Sequence, residues 1–199
     1  MSGLREKERP ANRISKYLKP DEFDSMLSAA KTERDRLLLE VLWGTGLRIS
    51  EALGIRPRDI DADGGYVEVI HQKVRGPRRT RLVNIERELA KQMLDYAVQK
   101  GIRDDVPLFG MNRMQAFYVI RSLGKRAKLN RDVSPHVLRH GFAILAVKSG
   151  IDVTRLGRML GHRSLSSTMA YLDFSPQDLK ESYEAVRTRE REDRRRRTS

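Results

Sequence analysis

At 199 residues the chain is long enough to bury one substantial core, and the absence of cysteine excludes a disulfide framework, thiolate catalysis and a cysteine-ligated metal. Forty Lys and Arg against 27 Asp and Glu leave a formal charge of +13, which favours a polyanionic partner and speeds encounter with it. The most apolar runs, RLLLEVLWG and GFAILAVKSG, fall short of the ~20 apolar residues of a membrane span, and the charged start MSGLREKERP is no secretory signal. The chain reads as a soluble, intracellular protein without a membrane partner.

Residues 1–19 are polar and basic, punctuated by Pro10 and Pro20, and read as an arm or linker outside any core. From Pro20, PDEFDSMLSAA offers Asp21 as a helix N-cap, and TERDRLLLEVLWG repeats apolar residues at helical spacing up to Gly44. GTGLRISEALGI predicts a turn at Gly44 and Gly46 and a short helix ending at Gly54, with RPRDIDADGG as loop. YVEVI and RLVNI alternate with period two around HQKVRGPRRT, a β-hairpin with a basic tip and the only clear strands. Helices resume at ERELAKQMLDYAVQKG, NRMQAFYVIRSLGKRAK, SPHVLRHGFAILAVKSG, DVTRLGRMLG, SLSSTMAYLDF and SPQDLKESYEAVRTRE. The expected class is mainly α with a small antiparallel β-sheet (α+β). One domain would span residues 20–185, followed by a charged, disordered tail over 186–199.

Within SPHVLRHGFA, Ser134 suits an N-cap and Pro135 the first helical position, which puts His136 beside unpaired backbone N–H groups that attract phosphate. His136 and Arg139, three apart, share a face and can reach one anion. The helix dipole there favours a neutral His136 able to take a proton near pH 7. Arg48 opens a short helix with Glu51 three positions on, close enough to orient it. Lys73, Arg75, Arg78, Arg79 and Arg81 crowd the hairpin turn with no acid among them, an arrangement that repels itself and suits phosphate contact. Gly161 has the place of a helix C′ residue, fixing His162 just past a helix end. Tyr171 falls about 120° off the stripe shared by Leu165, Met169 and Leu172, so it is not part of that apolar seam. Taken singly, each has a bland alternative: a capping or surface His, a surface ion pair, a solvated turn, an aromatic sealing a neighbouring surface.

In this order, GTGLRISEAL, HQKVRGPRRTR, SPHVLRHGFA and LGHRSLSSTMAYLDF resemble the catalytic domain of the tyrosine recombinases, the phage integrase and Xer-like family, over roughly residues 18–185. The resemblance implies the fold of the DNA-breaking-rejoining enzymes and a site-specific recombinase working through a 3′-phosphotyrosine intermediate, without ATP, metal or other cofactor. It implies Arg48, Lys73, His136, Arg139, His162 and Tyr171 as catalytic residues, Tyr171 the nucleophile, with Glu51 supporting Arg48. Arg75, Arg78, Arg79 and Arg81 would bind DNA. Lys73 is chosen as the only lysine on the hairpin, in a turn longer than the family's shortest forms. Family members commonly carry an N-terminal helical domain that closes around DNA, whereas here a basic arm precedes KYLKPDEFDSML, as in an excised catalytic domain or a minimal recombinase.

Double-stranded DNA is the implied partner, with self-association into dimers or tetramers on it, through a terminal helix such as SPQDLKESYEAVRTRE, and possible accessory factors. A cytoplasmic, nucleoid-associated location follows. Three rivals remain: a DNA-binding or regulatory protein of the same fold without catalysis, a type IB topoisomerase relaxing DNA, and a basic RNA-binding module. The nine-residue spacing from His162 to Tyr171 disfavours the topoisomerase, and an aromatic content of 6% disfavours RNA stacking.

Overall fold

The structure, a computed structural model, describes residues 17–70 and 80–162. The hairpin turn with Lys73, Arg75, Arg78 and Arg79, and the segment with Tyr171, lie outside them, as do residues 1–16 and the tail. In chain order the elements are α1 (Pro20–Ser28), α2 (Glu33–Thr45), α3 (Ile49–Ala52), a 3-10 turn (Pro57–Asp59), β1 (Ile60–Asp61), β2 (Tyr66–Ile70), β3 (Thr80–Asn84), α4 (Arg87–Gln99), α5 (Arg113–Arg126), α6 (Pro135–Lys148) and α7 (Val153–Leu160).

The mainly helical reading with a small antiparallel sheet holds. The sheet has three strands in the order β1-β2-β3, because RPRDIDADGG, expected as loop, contributes the 3-10 turn and β1. Two residues are too few to show a period, so β1 was invisible to pattern reading. In the hairpin, Val67 pairs with Val83 and Val69 with Arg81. Val67, Val69 and Val83 are buried, and they set the sheet's inner face.

Helix α2 is the spine, packing on α6, α4, α1, α3 and α5. Leu37, Leu38, Leu39, Val41 and Leu42 are all buried, so this helix is covered on most sides. Thr32 caps it by accepting from the Asp35 N–H, and Gly46, in the left-handed region at φ +62°, ends it. A Cβ at Gly46 would strike Phe142 on α6 and Leu160 on α7, so only glycine lets the three elements meet there. Gly44, expected in that turn, belongs to α2 itself.

Two expectations near the N-terminus change. Pro20 takes the first position of α1 and Lys19 the N-cap, so Asp21 lies in the first turn, where its charge suits the dipole. Leu18, assigned to an arm outside the core, is 0% exposed and belongs to the main core cluster. Arg131 holds that segment by donating to the Tyr17 carbonyl at 2.6 Å and to Glu22, while Lys148 reaches the Tyr17 hydroxyl at 2.9 Å.

Helix α7 joins α6 through a separate small core of Ala143, Ala146, Leu156 and Leu160, flanked by Phe142, Val147 and Ile151. Burying two leucines contributes roughly 3–6 kcal/mol towards holding α7 in place. Among the described residues no helix is long and apolar enough to cross a membrane.

Candidate active site

Four segments converge where α2 ends and α7 ends. The first is the turn after Gly46. Leu47 is buried, and Arg48 follows as the N-cap of α3, where the Glu51 carboxylate reaches back to its backbone N–H. Glu51 Oε2 accepts from the Arg48 backbone N–H at 2.9 Å, and Oε1 accepts from Arg48 Nη1 at 3.1 Å. The Glu51 side chain is 0% exposed, whereas that of Arg48 is 28% exposed. A carboxylate so enclosed requires a cationic partner, and leaving it with none would strand a costly buried charge.

The second cation on Glu51 comes from the sheet. Arg81 Nη2 donates to Glu51 Oε2 at 3.2 Å, and Arg81 Nη1 donates to the Met159 carbonyl of α7 at 2.7 Å. The sequence had grouped Arg81 with the basic hairpin tip. The structure instead turns it inward, with its side chain 14% exposed. Strand parity carried the signal: Arg81 is two residues before buried Val83 and opposite buried Val69, so it points to the same face. Sequence reasoning missed this inward role because it counted charges along the turn and ignored the register of the strand.

The third segment is α6. Pro135 occupies its first turn as expected, while Ser134 stands at the N-cap without a side-chain capping bond. His136 is exposed in that turn, and Arg139, one turn on, is 5% exposed. Arg139 Nη1 donates to the Gly46 carbonyl at 2.6 Å, and Nη2 donates to the Leu160 carbonyl at 2.8 Å. The i,i+3 pair therefore divides, with the guanidinium drawn into the cluster and the imidazole exposed.

The fourth is the end of α7, whose N-terminus is capped by Asp152 accepting from the Thr154 and Arg155 N–H groups. Gly161, at φ +65°, closes the helix as expected. The His162 N–H bonds the Gly157 carbonyl and the Gly161 N–H bonds that of Arg158, the paired bonds of a Schellman turn. This turn sets the position of His162. Its Nε2 lies 2.9 Å from Arg139 Nη2. A guanidinium only donates, so Nε2 accepts and the neutral ring carries its proton on Nδ1. Burial, and then the charges of Arg139, Arg48 and Arg81, push the His162 pKa down to about 4, against a smaller opposing effect of Glu51.

Three guanidiniums thus gather around the last carbonyls of α7: Arg81 on Met159, Arg139 on Leu160, and Arg48 at longer range on Leu160 and Gly161, 3.5 and 3.4 Å away. The negative end of the helix dipole complements them only in part. With one carboxylate and a neutral imidazole, the cluster keeps an excess of positive charge, and it opens to solvent at the partly exposed Arg48. It is suited to an oxyanion with two or more non-bridging oxygens.

A sequence profile of the phage integrase family matches residues 16–178. The chain belongs to the phage integrase family. Tyrosine recombinase XerA of Saccharolobus solfataricus is 32% identical over 168 residues, which cover 84% of this chain and 55% of that protein. A crystal structure of XerA recombinase matches with a TM-score of 0.76 at 29% identity, over 91% of this chain and 66% of that one. The catalytic domain of bacteriophage HP1 integrase shares the fold at a TM-score of 0.61 and 22% identity, over 84% of this chain and 93% of that domain. The chain spans about 55–64% of the length of the first relatives it matches. In this phage integrase fold, the architecture brings Arg48, Glu51, Arg81, Arg139 and His162 into one cluster, with His136 one turn from Arg139 on α6.

Proposed function

We propose that the chain is the catalytic part of a site-specific recombinase that cuts and rejoins double-stranded DNA through a tyrosine–phosphate link. The convergence of Arg48, Arg139 and His162 at the end of α7, with His162 nine residues before Tyr171, carries this reading. It supplies an anion-binding cluster next in sequence to a phenol.

In the proposed reaction the Tyr171 oxygen attacks a DNA phosphorus, and the bond from phosphorus to the 5′-oxygen breaks. The product is a 3′-phosphotyrosine and a free 5′-hydroxyl. Arg48 and Arg139 take the non-bridging oxygens as negative charge builds on them, exchanging helix carbonyls for phosphate, and the loss of one such donor typically costs ~10²–10³ in rate. His162 donates to the phosphate once Arg139 Nη2 turns from the ring to that group and the ring proton moves from Nδ1 to Nε2. His136 assists removal of the phenolic proton, which a phenol with pKa ~10 needs at neutral pH. Lys73 gives a proton to the departing 5′-oxygen, a role unsuited to a guanidinium. Attack by a second 5′-hydroxyl reverses the sequence and rejoins DNA. One ester replaces another at each step, so neither ATP nor a metal ion is required by the balance.

The hairpin residues Arg75, Arg78 and Arg79 bind the DNA backbone. Pairs or tetramers of the protein assemble on two sites through the segment after Tyr171, in the cytoplasm on the nucleoid. Residues 17–185 form the working unit, whose core begins at Leu18, flanked by the basic arm and charged tail.

Incubation of the full chain with nicked suicide DNA carrying the cognate site is expected to give an SDS-resistant protein–DNA adduct, and Tyr171→Phe to abolish it. An adduct that persists in Tyr171→Phe removes the nucleophile assignment. Failure of the wild-type chain to form an adduct on any DNA favours a binding-only protein.

A further inference from the structure

Arg81 is placed unlike a residue kept for stability alone. Its guanidinium comes from β3, at the edge of the basic hairpin, yet it is withdrawn from solvent, and burial lowers its pKa while Glu51 opposes that effect. Among the described residues its Nε is buried without a hydrogen-bond partner. A buried guanidinium with an unsatisfied N–H carries a desolvation cost, and Glu51 already has Arg48 as a cationic partner. Charge neutralisation alone does not call for a second arginine.

Geometry supplies the reason. One arm of the Arg81 fork, Nη2, holds the carboxylate oxygen that also receives the Arg48 backbone N–H. The other arm, Nη1, holds the carbonyl of Met159, three residues before His162. The fork thus spans the two halves of the cluster, the α3 start with Arg48 and the α7 end with His162. A planar guanidinium can serve both at fixed separation, whereas an ammonium is a single point of charge.

We propose that Arg81 is a positioning residue for DNA cleavage: through Glu51 it fixes the Arg48 guanidinium, and through Met159 it fixes the turn bearing His162, without itself touching DNA. The role rests on the recombinase reading above. It separates Arg81 from Arg75, Arg78 and Arg79, which act on the DNA backbone directly.

The test compares wild type, Arg81→Met and Arg81→Lys in single-turnover cleavage of suicide DNA, on an ordinary scissile phosphodiester and on a methylphosphonate at that position. The methylphosphonate lacks one negative oxygen and so depends less on correctly placed cations. Arg81→Met is expected to slow cleavage of the phosphodiester about 10–100-fold, the range typical when a group supporting a primary ligand is removed. Its DNA Kd and the salt dependence of that Kd stay at the wild-type values, and its defect shrinks on the methylphosphonate. Arg81→Lys, which keeps a charge beside Glu51, folds and shows the same substrate-dependent defect, so the result stands even where Arg81→Met is poorly folded. Wild-type cleavage rates in both variants overturn the proposal. So does a lowered salt dependence of binding, which marks a direct DNA contact, and so does an equal defect on both substrates that follows the loss of folded protein. If the wild-type chain itself forms no Tyr171 adduct, the recombinase reading falls first and this role falls with it.

Discussion

His162 lies near three guanidiniums and partly out of water, and both conditions favour its neutral form. In the unfolded chain the ring titrates near its ordinary 6.5, and in the folded chain it is pushed down to about 4. Between these values the unfolded state binds more protons. The stability that comes from a neutral His162 is therefore complete above about pH 6.5 and is lost progressively as the pH falls towards 4. Two measurements follow from this sign. An NMR titration of the ring carbons should give a midpoint near 4 in the free protein, and His162→Gln should flatten the acid side of a profile of urea stability against pH. Bound DNA should raise the midpoint, because a phosphodiester anion offsets the arginine field that depresses it. A free-protein midpoint near 6.5 would show that the ring does not feel Arg139, and with it the proposed phosphate site would lose its third member.

At the scale of the element, α7 delivers His162 through its two ends, and the two ends do different things. Asp152 caps the start, and its replacement by Ala should cost about 1 kcal/mol of stability. Gly161 closes the finish at φ +65°, where an L side chain is strained, so Gly161→Ala should cost roughly 1–2 kcal/mol. The costs are similar, but the consequences for the site differ. Gly161→Ala disturbs the turn that fixes His162 and should move its titration midpoint up towards 6.5, while Asp152→Ala should leave that midpoint near 4. Equal midpoints in the two variants would mean that the Schellman turn is not what positions the ring. Both caps were readable in the sequence, since DVTRLGRMLG shows an N-cap residue, an apolar period and a terminal glycine in order. The same signals located each long helix. They failed for β1, which is too short to have a period, and for the start of α1, where Pro20 displaced the expected Asp21 cap. Leu18 was misplaced for another reason: a single apolar residue in a polar stretch has no pattern, and the neighbouring Tyr17 is held by Arg131 and Lys148, which are more than a hundred residues away.

The net charge of +13 describes what the whole molecule attracts and says nothing about which cations do the attracting. Sequence reading placed Lys73, Arg75, Arg78, Arg79 and Arg81 in one basic turn, and the fold withdraws Arg81 to Glu51 and Met159. It likewise draws Arg139 off the surface, while the approach of Arg48 to α7, from residues over a hundred positions apart, had no local signature at all. Two classes of arginine should therefore separate in their response to salt. Each cation that neutralises a DNA phosphate adds about 0.9 to the slope of log K against log salt. On the proposed backbone role of the hairpin, replacing Arg75, Arg78 and Arg79 together by Gln should weaken DNA binding on every sequence and lower that slope by up to about 3. Binding isotherms on cognate and random duplexes over a series of salt concentrations measure both quantities. An unchanged slope in the triple variant would place the hairpin tip away from DNA and leave the attraction to the cationic groups elsewhere on the chain. A loss confined to the cognate duplex would instead make the tip a reader of sequence, with contacts in a groove in place of those to phosphate.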